Sequence, residues 1–164
     1  MIIGSVEGCW EVAFLGKLRV YLDNCCYNRP FDDMTADKIR VETVAKLFIQ
    51  DLITDKKAVL AYSFMSLMEI ADNPNDEIKV QVLKYVENMA TIFVGIAEIL
   101  EVNRLKDEIM RTGIKHKDAT HLACAMLADC EYFITVDKRI LKYKSDKIKP
   151  VNPIEFAEIW RNLQ

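Results

Sequence analysis

Between Thr35 and Ile53 the apolar residues Val41, Val44, Ala45, Phe48 and Leu52 recur at intervals of three and four, which predicts one face of an amphipathic helix. The run before it reads differently. "RVYL" at 19–22 is β-prone and stops at Asp23, and "NCCYNRPFDD" supplies turn residues in which Arg29-Pro30 excludes a helix start before Phe31. "AVLAY" at 58–62 reads as a buried strand, and "SFMSLMEIA" then places Phe64, Leu67, Met68 and Ala71 at helical spacing up to Asn73-Pro74. Ile78, Val82, Tyr85, Val86 and Met89 mark the next helix, introduced by Asn75 or Asp76 as its cap. "TIFVGI" is a third strand. The helical stretch from about Ala97 stops at Gly113, a residue suited to the left-handed position after a helix end.

Asp118 is expected to open a helix with Ala119, Leu122, Ala123, Met126 and Leu127 on its core face. "YFITV" reads as a fourth strand, "KRILKY" as a helical turn and "KIKPV" as a fifth strand. Asn152 as cap, Pro153 at the first helical position and Glu155 three residues after the cap start a final helix. Strands separated by helices throughout predict an α/β domain whose parallel sheet is covered on both faces, because parallel neighbours need crossover connections. One such domain covers roughly residues 19–164. The first 18 residues, with Gly4 and Gly8 and little periodicity, fit it poorly. They are expected to be an extension upstream of a start near Leu18, the alternative being an extra strand or hairpin.

A chain of 164 residues, 51% apolar and 29% charged, is large enough to bury one real core. No apolar run approaches the roughly 20 residues of a membrane-spanning helix, and no secretory signal opens the chain. A soluble cytoplasmic protein without a membrane partner is the expectation. Cys9, Cys25, Cys26, Cys124 and Cys130 include no C-x-x-C pair, so reduced thiols are expected in place of a disulfide framework or zinc site. A net charge of −3 argues against bulk attraction to nucleic acid and leaves local basic patches open.

The chemistry gathers at strand ends. In an open parallel sheet the reactive crevice lies beyond the carboxyl ends of the strands. Asp23 and Asp137 directly follow strands there, and the helix from Asp118 runs back from the same edge. Glu69 is the only charged side chain between Ala58 and Ala71, so it either points to solvent or faces a polar site inside the fold. Taken singly, each aspartate could merely cap a turn. Four converging carboxylates repel one another unless a cation joins them, and hard oxygen ligands point to Mg²⁺ or Mn²⁺. The reaction this suggests is hydrolysis of a phosphate ester.

The order Asp23 after a first strand, "SFMSLMEI" with Glu69, "KDATHLACA" with Asp118 and "TVDKRI" with Asp137 resembles the PIN domain, whose members include the toxin ribonucleases of VapBC toxin–antitoxin pairs. The likeness spans about Arg19 to Val151. It implies a three-layer α/β/α fold with a central parallel sheet in the order 3-2-1-4-5. It also implies a Mg²⁺- or Mn²⁺-dependent ribonuclease site formed by Asp23, Glu69, Asp118 and Asp137, with Thr135 orienting a ligand. Asn24 stands where many members carry Thr or Ser, so a polar contact there would come from an amide. As a toxin, the chain would cut single-stranded or looped RNA, dimerise, and be held inactive by a small antitoxin that inserts a side chain into the acidic crevice.

His121 shares a helix face with Asp118 and either supports a ligand or is a half-buried helix residue. Lys115, Lys117 and His116 beside Asp118, and the run through Lys138 and Arg139 to Lys149, are either a solvated face or the place where a phosphate backbone is held. Arg29 either reaches a phosphate or caps its loop. Cys25 and Cys26 invite a nucleophile reading that metal-activated water makes unnecessary. The rival function is a PIN-like binding or assembly module without catalysis. A receiver-type phosphoacceptor is disfavoured because its acids would cluster early in the chain.

Overall fold

The computed structural model describes residues 16–28 and 34–164. The expected extension or hairpin therefore lies almost wholly outside the described residues, as does Arg29. Five strands, β1 (Arg19–Leu22), β2 (Val59–Ser63), β3 (Ile92–Val94), β4 (Tyr132–Ile134) and β5 (Lys149–Val151), form one sheet in the order β3-β2-β1-β4-β5. Every pairing is parallel, with Val20 opposite Leu60 on one side and Tyr132 on the other. The expected architecture and strand order are both present.

Seven α-helices accompany the sheet among the described residues: α1 (Asn24–Asn28), α2 (Asp37–Thr54), α3 (Phe64–Ala71), α4 (Asp76–Met89), α5 (Ile99–Met110), α6 (His116–Leu127) and α7 (Pro153–Asn162). Alternate strand residues feed two cores, as the two-residue period of a strand requires. Val20, Leu22, Leu60 and Ile134 meet Ile49, Leu52 and Ile53 of α2, Val82 and Val86 of α4 and Phe156 of α7. On the other face Tyr21, Ala61 and Phe133 meet Val102, Leu105 and Ile109 of α5 and Ala119, Leu122, Ala123, Cys124 and Ala125 of α6. Asn75 and Asn152 cap α4 and α7 as expected, and Gly113 takes a φ of +96° after α5.

Four local expectations are corrected. Residues 24–28 form a short helix where a turn was expected, because Pro30 restricts only Arg29 and leaves the Cys26 amide free to bond Asp23 O at 2.9 Å. The buried stripe of α2 runs through Ala45, Ile49, Leu52 and Ile53, leaving Val41 and Val44 50% and 63% exposed. Apolar side chains occupy most of that helix's circumference, so spacing alone admits either stripe. In α3 it is Met65, Ser66 and Ile70 that are buried while Met68 is exposed, because a capping box between Ser63 and Ser66 sets the rotation of the helix. Helix α6 begins at His116 with Asp118 inside its first turn, and its last residues, Met126 and Leu127, are only partly buried.

Candidate metal centre

Asp23 sits where β1 ends, and its amide donates to Ile134 O of β4 at 2.9 Å. This is the point where the strand order reverses, with β2 on one side of β1 and β4 on the other, so loops diverge and leave a crevice. The Asp23 side chain is buried yet well held: Thr135 Oγ1 donates to its Oδ2 at 2.6 Å and Cys25 Sγ to the same atom at 3.1 Å. Thr135 Oγ1 also accepts from the Asp137 amide at 3.0 Å, so one hydroxyl ties two strand-end acids together.

Glu69 arrives from the neighbouring strand. Helix α3 follows β2 without a break, and Ser66, turned inward by the capping box, carries Glu69 on its own face three residues later. Below it lies a buried polar network centred on the Tyr21 hydroxyl, which bonds Ser63 Oγ at 2.6 Å, Ser66 Oγ at 2.7 Å and His121 Nδ1 at 2.8 Å. The other ring nitrogen, His121 Nε2, lies 3.1 Å from Glu69 Oε2, but without hydrogen-bond alignment, so it has no hydrogen-bond partner. The imidazole nonetheless holds the Glu69 carboxyl below its ordinary range, against the desolvation that would raise it. Ligand atoms of Asp23, Glu69 and His121 all lie within 4.8 Å of one another.

Asp118 and Asp137 complete the rim. With Asp23, Asn24, Cys25, Asn28, Glu69, Asp72 and Lys117 they line a cavity of about 400 Å³. Arg139 occupies Asp137, its Nη2 2.5 Å from Oδ2 and its backbone amide 2.8 Å from Oδ1, and this pairing holds the Asp137 carboxyl low. The same guanidinium reaches to 4.0 Å from Asp118. Burial pushes the Asp118 carboxyl up, Arg139 opposes the shift, and the charges of Asp137 and Asp23 add to it. The set fits a divalent cation: two carboxylates and an imidazole nitrogen face one another, and both Nε2 of His121 and Oδ1 of Asn24 are buried without a hydrogen-bond partner.

A second cavity, of about 420 Å³, adjoins the first across Asp118 and is lined by Lys115, Arg139, Lys142, Tyr143 and Lys144 among others. Of the basic residues singled out in the sequence, Lys117 lines the acidic cavity and Lys115 and Arg139 this one, whereas Lys138 is exposed and lines neither. Sequence reasoning missed Tyr21, Ser63 and Ser66, whose roles depend on contacts between distant segments. Cys25, set aside as a nucleophile, serves as a donor to Asp23. Asp72, the residue closing α3, could have been found by its three-residue spacing from Glu69.

No family model matches the chain, and no curated protein is similar to it in sequence. Solved structures do match. VapBC2 from Rickettsia felis, solved bound to a DNA fragment from its promoter, superposes with a TM-score of 0.53 at 14% identity over 82% of this chain and 98% of that one. FitAcB from Neisseria gonorrhoeae gives 0.52 at 15% identity with the same coverage. Together with the all-parallel 3-2-1-4-5 sheet, these likenesses establish that the chain has the fold of VapC-like PIN domains.

Proposed function

We propose that the chain is a metal-dependent endoribonuclease and the toxin of a toxin–antitoxin pair. The observation that carries the reading is the meeting of Asp23, Glu69 and His121 within 4.8 Å at the switch point of the sheet, in a crevice shared with Asp118 and Asp137. A bound Mg²⁺ or Mn²⁺ supplies polarisation of a phosphoryl oxygen and a water of lowered pKa. Asp23, at the end of β1, and Glu69, on the helix that follows β2, would hold the cation, and Thr135 and Cys25 fix the Asp23 carboxylate by donating to Oδ2. Asp118, whose carboxyl burial raises, takes up the proton released from the attacking water.

The substrate path follows from charge. Lys115, Lys142 and Lys144 form a basic approach that meets the acidic cavity at Asp118, and Tyr143 offers a ring beside it. A single strand fits such an approach, because cations track its phosphates and aromatic faces stack its bases. Arg139 and Lys117 flank the acids and are the residues to hold the scissile phosphate. For the partner, VapBC2 supplies the precedent of a VapBC assembly, and Val41, Val44 and Leu47 leave an apolar strip exposed on α2 that an antitoxin or a second copy would cover.

The test is cleavage of an end-labelled single-stranded RNA with Mn²⁺, with Mg²⁺ and with chelator, by the wild type and by Asp23→Asn. Cleavage that requires the metal and falls at least about 100-fold in the variant, with the fold retained, supports the reading. An unchanged rate in Asp23→Asn overturns it, and absence of cleavage by the wild type favours a binding or assembly module.

A further inference from the structure

We propose that His121 Nε2 is itself a ligand to the cation, so that Asp23, Glu69 and His121 form a mixed nitrogen–oxygen site selective for Mn²⁺ or a later first-row ion over Mg²⁺. The inference rests on the metal-centre reading above and changes its ligand set. His121 is 2% exposed and its Nε2 is buried without a hydrogen-bond partner, although Glu69 Oε2 lies 3.1 Å away. An Nε2–H aimed off-axis at that carboxylate would be a buried donor left unmade, which is unfavourable. A lone pair at Nε2 directed to a cation shared with Glu69 and Asp23 removes the deficit.

The surroundings accommodate that tautomer. With the proton on Nδ1, the ring donates to the Tyr21 hydroxyl at 2.8 Å, and that hydroxyl donates in turn to one serine and accepts from the other, at 2.6 and 2.7 Å. All three contacts of the Tyr21 hydroxyl are then used. Such a backing bond from the remote ring nitrogen is the usual support of a metal-binding histidine. The edge-on packing of the imidazole against Tyr21, with centroids 5.8 Å apart, further restricts its rotation. Imidazole suits the later first-row ions such as Fe²⁺ and Zn²⁺, and Mn²⁺, at the start of that series, accepts it beside carboxylates more readily than Mg²⁺, which prefers oxygen and water.

The test loads the full chain with Mn²⁺ and reads electron spin-echo modulation from ligand nitrogen, using unlabelled protein and protein grown on ¹⁵N-histidine. Because the wild type is read directly, no buried substitution is needed. His116→Asn removes the only other histidine, at the exposed start of α6. Strong histidine modulation that changes on labelling and survives in His116→Asn is the expected result. In parallel, calorimetry on His121→Asn should show Mn²⁺ affinity reduced at least about tenfold and Mg²⁺ affinity by less than about twofold. Mn²⁺ bound at a site abolished by Asp23→Asn but without histidine modulation overturns the ligand role while leaving the metal centre standing. Equal losses of the two ions in His121→Asn overturn the selectivity. Absence of Mn²⁺ binding in the wild type overturns both this inference and the reading beneath it.

Discussion

Replacing Tyr21 by Phe removes one oxygen from the centre of the molecule and keeps nearly everything else. The ring remains stacked on Phe133, with centroids 5.4 Å apart, so the change in stability reports the hydroxyl alone. That hydroxyl has three buried partners at 2.6, 2.7 and 2.8 Å. Ser63 and Ser66 keep each other, because each side chain accepts from the other's amide at 3.3 Å. His121 Nδ1 keeps nothing. The cost is therefore dominated by one orphaned imidazole nitrogen, about 1–3 kcal/mol, with a smaller loss at the serines, giving about 2–3 kcal/mol in all. For a chain of this length the melting temperature should fall by about 5–10 °C. Urea unfolding followed by far-ultraviolet circular dichroism measures the change, with the slope against urea unaltered. Double-mutant analysis with Ser66→Ala should show coupling of about 1 kcal/mol. A loss below about 0.5 kcal/mol would refute the idea that this hydroxyl satisfies the buried network.

Other perturbations read neighbouring parts of the account. Thr135→Val deletes the donor to Asp23 and the acceptor for the Asp137 amide, and should cost about 1–3 kcal/mol in urea unfolding while weakening Mn²⁺ binding; retention of both values would show that the hydroxyl is incidental. Arg139→Met removes a positive charge next to Asp137 and Asp118, and calorimetry should find Mn²⁺ bound about 3- to 10-fold more tightly, with RNA affinity reduced; an unchanged metal affinity counts against Arg139 as a competing cation. Gly113→Ala meets no atom within 4 Å but demands a left-handed backbone, so a loss of about 1–2 kcal/mol is expected and a neutral result contradicts the strain argument. The Glu69 and Asp137 carboxyls lie below their ordinary values when folded. Their stabilisation is thus complete above the unfolded carboxylate range near about pH 4 and is lost as pH falls through the folded values. Asp118, raised by burial, acts in the opposite sense, stabilising most at low pH. Melting curves across pH 3 to 6 should show a net acid loss that shrinks in Arg139→Met, and an equal loss in both proteins would be the contrary result.

Elements whose identity depends on local pattern were legible in the chain. The short β-prone runs, the Asn75 and Asn152 caps and Gly113 are where the residues themselves indicate, since capping and left-handed backbone are decided within a few residues. Glu69, alone in an uncharged stretch, lies beside Asp23 because α3 continues directly from β2. What the pattern hides is anything settled by partners far along the chain. Val41 and Val44 resemble core residues until α2 is rotated by packing against α7 and the sheet. His121 reads as a companion of Asp118 on one helix face, yet its nearest polar neighbours are Glu69 and Tyr21, from two other segments. Arg139 reads as a phosphate contact, and its pairing with Asp137 two residues away becomes visible only in the folded chain.

The most direct test of the central claim is a calorimetric titration of Mn²⁺ into the purified chain, run beside Asp23→Asn and Asp118→Asn. Saturable binding in the wild type that is abolished in Asp23→Asn and weakened in Asp118→Asn, with all three proteins folded, is the expected result. Wild-type protein that takes up no Mn²⁺, or an Asp23→Asn variant that binds as tightly as the wild type, would contradict it.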